Sequence, residues 1–233
     1  MSSEQSHPEA EAPARGRHIL VSDFDGTMTK HDFYDLVRRQ WPLPPNDDPW
    51  ENYVAGGCTH FEALAAIFGR IRCEEATLLA LVDRMELDPA LPQSARRIGA
   101  AGWEVVVASA GCEWYLLRLL RGAGLKFTVH ANPGDFTPAG GLHLRLPEHS
   151  RFFTRTTGID KVAVVRDALA HSAEVAFAGD GRPDLAAALL VPAARRFARG
   201  WLAGELRARG EGFQPFENWT QLTNRLLDTP SPC

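Results

Sequence analysis

Three runs of consecutive apolar residues stand out along the chain, and each leads into a polar or small residue. An unbroken run of β-branched and aliphatic residues is typical of a parallel strand that is covered on both faces. Two weaker runs, at residues 126–131 and 195–198, predict shorter strands. The three strong runs are residues 18–22, 103–108 and 174–178, followed by Asp23, Ser109 and Gly179-Asp180.

Helical patterns fill the intervals between these predicted strands. Gly122 and Gly124 act as stop signals for one such helix. Strands that alternate with helices predict right-handed crossovers and an α/β fold, a Rossmann-like doubly wound parallel sheet with helices on both faces. The predicted helices cover residues 94–101, 113–121, 160–171 and 184–190.

Residues 31–92 interrupt this alternation. They contain a Pro-rich turn at residues 41–45, helical patterns around 59–69 and 74–85, and no run that predicts a strand. We therefore expect a small helical cap inserted after the first strand, above the carboxyl edge of the sheet. The α/β core then comprises residues 17–30 and 93–233, with a last helix after Glu211.

Residues 1–16 are rich in Ser, Glu, Pro and Ala, and we expect a disordered tail because they offer little apolar surface. They lack the apolar centre of a secretory signal, and their glutamates oppose an organelle-targeting role. No apolar run is long enough to span a bilayer. The formal net charge is −4 with scattered basic residues, so neither nucleic acid nor a membrane surface is an expected partner.

The cysteines form no C-x-x-C pair, and we expect free thiols in a reducing cytoplasm. On this interpretation we expect a cytoplasmic protein. The sequence leaves the oligomeric state open between monomer and homodimer. The cysteines are Cys58, Cys73, Cys112 and Cys233.

Polar residues that follow parallel strands meet at one edge of the sheet, where ligands bind. In Asp23-Phe24-Asp25-Gly26-Thr27, two carboxylates are separated by one residue. One can attack phosphorus while the other handles a proton; Gly26 permits a sharp turn, and Thr27 can fix it by a hydrogen bond. An ordinary Asp-Gly turn after a strand is the alternative.

Ser109-Ala110-Gly111 follows the second predicted strand. Its hydroxyl and its backbone amides can meet a phosphate oxygen, and the amides open a predicted helix whose N-terminus favours anions. A serine before a helix can equally be a simple N-cap.

Lys161 begins a predicted helix, where its charge opposes the helix dipole. An ammonium suits the charge of an aspartyl-phosphate, although a lone lysine can also be a solvated surface residue. Asp180 and Asp184, with glycines beside them, suit a hard cation such as Mg²⁺, or form only a strand-to-helix turn.

In this order along the chain, the four motifs resemble those of the haloacid-dehalogenase superfamily. The resemblance implies that Asp23 attacks phosphorus and forms an aspartyl-phosphate. Asp25 would protonate the leaving alcohol and then deprotonate the hydrolytic water, while Ser109 and Lys161 bind the phosphoryl group. The presence of Asp25 favours a phosphatase over a dehalogenase.

The same resemblance implies a magnesium site. Asp23, the backbone carbonyl of Asp25, and Asp180 would bind Mg²⁺, and Asp184 would support them. Catalysis of phosphoryl transfer depends mainly on positioning and charge neutralisation, which agrees with this set.

The helical insert resembles that of phosphoserine phosphatases, but Asp32 stands near the position where those enzymes carry a glutamate. The string D-F-D-G-T-x-T-x-x-D looks more like the methionine-salvage phosphatases that act on a hydroxy-keto-methylthiopentenyl phosphate. We therefore expect a small phosphorylated metabolite as substrate, with a phosphotransferase or a non-catalytic binding protein as alternatives. Substrate-binding candidates are Thr27, Asp32, Ala110, Gly111 and Arg151, and further candidates, which can also be packing residues, are His31, Trp50, Tyr53 and Phe61.

Overall fold

The structure is a computed structural model that describes residues 17–44 and 47–229. The predicted disordered tail and Cys233 lie outside these residues. The strands are β1 (His18–Ser22), β2 (Trp103–Cys112), β3 (Thr128–Asn132), β4 (Gly134–Thr137), β5 (Gly141–Leu144), β6 (Phe153–Thr154), β7 (Gly158–Ile159), β8 (Glu174–Gly179), β9 (Arg196–Ala198) and β10 (Gln214–Pro215). The helices are α1 (Phe33–Gln40), α2 (Pro49–Val54), α3 (His60–Phe68), α4 (Glu75–Asp83), α5 (Leu91–Ala100), α6 (Glu113–Gly122), α7 (Lys161–His171), α8 (Leu185–Ala188), α9 (Gly200–Ala208) and α10 (Trp219–Asp228).

A parallel sheet of six strands, in the order β10-β9-β8-β1-β2-β3, forms the centre of the molecule, which confirms the predicted α/β fold. Strand β1 lies between β2 and β8, and Val21 is in register with Val106 on one side and Phe177 on the other. The three strong apolar runs of the sequence therefore form neighbouring strands at the middle of the sheet. Their carboxyl ends meet at one edge.

Successive residues of β1 pack into different cores, because side chains alternate between the two faces of a strand. Leu20 belongs to a core with Ile98 of α5 and Leu222 of α10. Val21 belongs to a second core with Val164 of α7 and Leu202 of α9. The chain thus places helices on both faces of the sheet, as the continuous apolar strands require.

Helices α1–α4 lie between β1 and α5 in the sequence. Helix α3 begins with a capping box, in which Thr59 accepts a hydrogen bond from the Glu62 amide and the Glu62 carboxylate accepts one from the Thr59 amide. Asp32 is the N-cap of α1, and its carboxylate accepts a hydrogen bond from the Tyr34 amide. No helix within the described residues has both the length and the apolarity needed to cross a membrane.

Several predicted boundaries were wrong. Strand β2 continues four residues past the predicted end at Ala108, through a break in its pairing with β3, and reaches Cys112. The helix predicted at residues 184–190 is a 3₁₀ turn over Arg182–Asp184 followed by the short α8. The antiparallel pairs β4–β5 and β6–β7 were not predicted, because their strands are too short to show a clear alternation.

Candidate active site

A cavity of about 460 Å³ opens at the carboxyl ends of β1, β2 and β8. Residues from all three strand ends line it, although these ends are far apart in the sequence. Of the predicted site residues, those that line the cavity are Asp23, Asp25, Asp32, Trp50, Ser109, Ala110, Gly111, Lys161 and Asp180.

The loop after β1 turns back on itself. The amides of Thr27 and Met28 both donate to the carbonyl of Phe24, at 3.1 and 2.8 Å. Gly26 has a φ of +67°, and a Cβ atom there would lie 2.3 Å from Asp180 Oδ2. Only glycine therefore permits both the turn and the close approach of Asp180 to the loop.

Arg199, which the sequence analysis did not propose as a site residue, holds this loop through hydrogen bonds. Its guanidinium donates to the backbone carbonyls of Gly26, Thr29 and, at 3.0 Å, Glu217. A single arginine thus joins the β1 loop to the segment before α10. Its position directly after β9 was visible in the sequence, but its three partners were not.

Lys161 is buried between two carboxylates. Its Nζ lies 2.7 Å from Asp23 Oδ1 and 2.6 Å from Asp184 Oδ1. Burial alone would lower the pKa of Lys161, but the carboxylates of Asp184 and Asp23 raise it above its usual value. The ammonium is therefore charged, and these ion pairs offset its position at the start of α7.

Asp184 lies behind the cavity surface rather than on it. Its Oδ1 accepts from Lys161, and its Oδ2 accepts from the amides of Asp180 and Gly181 at 3.0 and 2.8 Å. Thr27 is likewise buried outside the cavity lining and donates to Asp180 Oδ1 at 2.8 Å. Both residues orient cavity residues from behind.

Ser109 lies within β2, where the pairing with β3 is broken, and not at a helix N-terminus. Its Oγ accepts from the Gly111 amide at 2.9 Å and lies 3.4 Å from Asp25 Oδ2. Helix α6 begins only at Glu113, so the predicted role of Ala110 and Gly111 amides as a helix N-terminus was wrong. The broken register instead turns the Ser109 hydroxyl towards Asp25.

Asp25 accepts hydrogen bonds at both carboxylate oxygens. Tyr115 donates its hydroxyl to Oδ2 at 2.9 Å, and the Phe33 amide donates to Oδ1 at 3.3 Å. Burial raises the pKa of Asp25 to about 6, and these donors limit the rise. The sequence analysis missed Tyr115, although a tyrosine in the first turn of a helix at the ligand edge was a visible signal.

The Tyr115 contact depends on Gly111. A Cβ atom at residue 111 would lie 2.1 Å from the Tyr115 hydroxyl oxygen and 2.5 Å from Asp25 Oδ2. No larger residue could occupy this position without displacing that hydrogen bond. Gly111 therefore matters for the space it leaves rather than for its flexibility.

The carboxylates fit a hard divalent cation. Asp23, Asp180 and Asp184 each offer an oxygen, and these three oxygens lie within 4.8 Å of one another. Burial raises the pKa of Asp180 to about 7, with the Asp184 carboxylate adding to the effect. Such crowded carboxylates repel one another, and a bound dication would relieve that repulsion.

We call Asp23, Asp25, Ser109, Lys161 and Asp180 the catalytic wall of the cavity. The remaining lining comes partly from the helices between β1 and α5. We call this second set, which lines the same cavity, the helical wall: Tyr34 of α1, Trp50 of α2, and His60, Leu64 and Phe68 of α3.

Several predicted substrate residues lie away from the cavity lining. Arg151 is exposed, forms an ion pair with Asp167 at 2.5 Å and stacks over Phe152. His31 lies 3.5 Å from Glu86. Phe61 packs in the core, and Tyr53 contacts Trp50 edge-on without lining the cavity.

Comparison with known proteins supports the same fold. A family model described as haloacid dehalogenase-like hydrolase matches residues 20–189. A HAD family hydrolase from Salmonella enterica subsp. enterica serovar Typhi is similar with a TM-score of 0.67, at 17% sequence identity, over 93% of this chain and 72% of that chain. No curated protein sequence matches this chain.

Phosphoserine phosphatase structures are also similar. The enzyme from T. onnurineus gives a TM-score of 0.64 at 18% identity, covering 95% of this chain and 100% of that one. A structure described as a phospho-aspartyl intermediate analogue of phosphoserine phosphatase gives 0.62 at 12% identity, covering 91% and 99%. At these identities the likeness establishes a shared fold.

Proposed function

Because this chain belongs to the haloacid dehalogenase-like hydrolase family, we propose that it is a magnesium-dependent phosphatase acting on a phosphate monoester of a small metabolite. The observation that carries the proposal is the contact between Asp23 and Lys161, 2.7 Å apart at the cavity surface. A carboxylate can attack phosphorus, and a buried ammonium neutralises the charge on the phosphoryl oxygens. The similarity to phosphoserine phosphatases supports phosphoryl chemistry.

The reaction takes place in two displacements at phosphorus. In the first, an Asp23 oxygen bonds to phosphorus as the bond to the leaving oxygen breaks, and Asp25 gives that oxygen its proton. In the second, Asp25 takes a proton from water, whose oxygen bonds to phosphorus as the bond to Asp23 breaks. The products are the alcohol, inorganic phosphate and the original Asp23 carboxylate.

The other residues of the site position these groups. Ser109 and Lys161 bind the phosphoryl oxygens, and Asp23, Asp180 and the backbone carbonyl of Asp25 would hold Mg²⁺. Asp184 supports the site through Lys161 and two backbone amides. When bound, Mg²⁺ supplies additional neutralisation of the phosphoryl charge.

We also propose that residues 31–92 act as a cap that excludes water and selects the leaving alcohol, with residues 17–30 and 93–233 as the core. The methionine-salvage ester, suggested by the residues after Asp23, is the first candidate substrate. Phosphoserine is the second, on the strength of the structural likeness.

The test is release of inorganic phosphate from para-nitrophenyl phosphate by the purified protein. We expect release with Mg²⁺ and none after Mg²⁺ is removed with EDTA, with activity restored when Mg²⁺ is added back. Adding an alcohol acceptor distinguishes hydrolysis from phosphotransfer, because a phosphotransferase then releases para-nitrophenol without an equal amount of inorganic phosphate, its phosphoryl group having bonded to the acceptor oxygen. No release in Mg²⁺, with or without acceptor, would contradict the proposal.

A further inference from the structure

One face of α3 lines the cavity opposite the catalytic wall. His60, Leu64 and Phe68 follow one another at intervals of four residues, so their side chains lie on the same side of the helix. Leu64 and Phe68 are almost fully buried and apolar. His60 therefore provides the only polar side chain on this face of α3.

His60 lacks the hydrogen bonds that a buried imidazole normally makes. The residue is 5% exposed, and its Nδ1 has no hydrogen-bond partner among the described residues. The ring makes edge contacts with Trp50 and Tyr53, at centroid distances of 5.6 and 5.2 Å. Because Nδ1 is enclosed by protein, a ligand in the cavity meets the His60 ring through its other atoms, Nε2 among them.

His60 is neutral as well as buried. Burial lowers its pKa to about 4. A neutral imidazole has one donor and one acceptor nitrogen, so it can bind a hydroxyl or a carbonyl oxygen without adding charge to the site. With Nδ1 enclosed by protein, Nε2 is the nitrogen left for a ligand.

The charged residues of the cavity outside the catalytic wall lie mostly at its mouth. The Glu51 side chain is 67% exposed, and Arg182 is exposed and stacks over Trp201. Asp35 forms an ion pair with Arg39. The helical wall therefore offers mainly apolar surface, and of its neutral hydrogen-bonding residues His60 is buried whereas Tyr34 and Trp50 are half-buried.

We propose that His60 is a specificity-determining residue, and that the alcohol released from the substrate is uncharged, partly apolar and bears a hydroxyl or carbonyl group that hydrogen-bonds to His60. The inference rests on the proposed phosphatase activity and names the class of its substrate. Leu64 and Phe68 contact the apolar part. The hydrogen bond discriminates against esters that lack such a group, because they would exclude water from His60 Nε2 without replacing its hydrogen bond.

Asp32 is the group that favours a different substrate. Its carboxyl lines the cavity, and burial together with the carboxylates of Asp25 and Asp180 raises its pKa. A cationic alcohol would be attracted to that negative region. Asp32 is already engaged as the N-cap of α1, however, through the Tyr34 amide at 3.0 Å. The experiment therefore includes a cationic ester as a competing outcome.

The experiment compares kcat/KM in Mg²⁺ for matched esters: dihydroxyacetone phosphate, which leaves as a hydroxyketone, propyl phosphate, phosphoethanolamine and phosphoserine. We expect the hydroxyketone ester to exceed each of the others by about tenfold or more. In His60→Leu, this advantage over propyl phosphate should fall to about twofold. His60→Gln, whose amide can donate and accept, should restore part of the advantage.

His171→Leu is the matched control, because His171 is exposed at the opposite end of α7 from Lys161. It should keep the wild-type ratios. Equal wild-type rates on the hydroxyketone and propyl esters, a preference for either amino ester, or an unchanged ratio in His60→Leu would overturn the proposal. If His60→Leu does not fold, the kcat/KM ratios of the wild type and of His60→Gln test the proposal. Failure of the phosphatase proposal is distinguishable, since no ester, para-nitrophenyl phosphate included, would then be hydrolysed.

Discussion

The two walls of the cavity differ in how their polar groups are satisfied. On the catalytic wall, Asp23 pairs with Lys161, Asp25 accepts from Tyr115, and Asp180 accepts from Thr27. On the helical wall, His60 Nδ1 is unpaired, and the Tyr34 and Trp50 rings stack at a centroid distance of 3.9 Å. Groups that are already oriented suit a reaction with one geometry, whereas a wall made mainly of aromatic and aliphatic side chains suits recognition of the varying part of a substrate.

The largest expected effect comes from removing the nucleophile on the catalytic wall. Asp23→Asn should reduce kcat by about 10⁴-fold or more, because a carboxamide cannot form the covalent intermediate. Phosphate release under saturating para-nitrophenyl phosphate measures this. The far-UV circular dichroism spectrum should match that of the wild type, and activity within tenfold of wild type would refute a nucleophilic Asp23.

A smaller loss is expected when the metal site alone is weakened. Asp180→Asn should raise the Mg²⁺ concentration for half-maximal activity by about 100-fold, since one anionic ligand becomes neutral. A Mg²⁺ titration of activity measures the shift. Partial recovery at high Mg²⁺ is expected, and an unchanged requirement would argue against Asp180 as a ligand.

The smallest effect on this wall concerns a positioning residue. Tyr115→Phe should lower kcat for an alkyl phosphate by about tenfold with little change in KM, because Asp25 loses the donor that orients it. The loss should be smaller for para-nitrophenyl phosphate, whose phenolate leaves with less need of a proton.

A double-mutant cycle separates orientation of Asp25 from a general effect on packing. In an Asp25→Asn background, Tyr115→Phe should cause almost no further loss, since the residue it orients is no longer functional. Equal losses in the two backgrounds would show that Tyr115 acts independently of Asp25.

The strand ends were predictable from sequence because the causes are local. Continuous apolar runs predicted β1, β2 and β8 and placed Asp23, Ser109 and Asp180 at one edge. The helix starting at Lys161 was also predicted, with Asp160 as its N-cap in the structure. The residue types at the strand ends, together with Lys161, were sufficient to suggest phosphoryl chemistry before any distance was known.

The partners of these residues were not predictable, because they come from distant parts of the chain. Arg199 reaches the loop at Gly26, and Tyr115 reaches Asp25 only because Gly111 leaves space. Phe61 was a candidate for the cavity, but the helix turns His60 towards it instead. A rotation of one residue along a helix changes the facing direction by about 100°, which helix boundaries from sequence do not resolve.

The sequence by itself determined the parallel α/β fold and the aspartates, serine and lysine of the ligand edge, because strand pattern and residue chemistry are local properties. Only the tertiary structure decided which carboxylates form ion pairs with Lys161, which donors orient Asp25 and which face of α3 lines the cavity. Those outcomes depend on packing between segments as far apart as β1 and α7. The residues of the catalytic wall were thus predictable from the sequence, whereas those of the helical wall, apart from Trp50, were identified only by the structure.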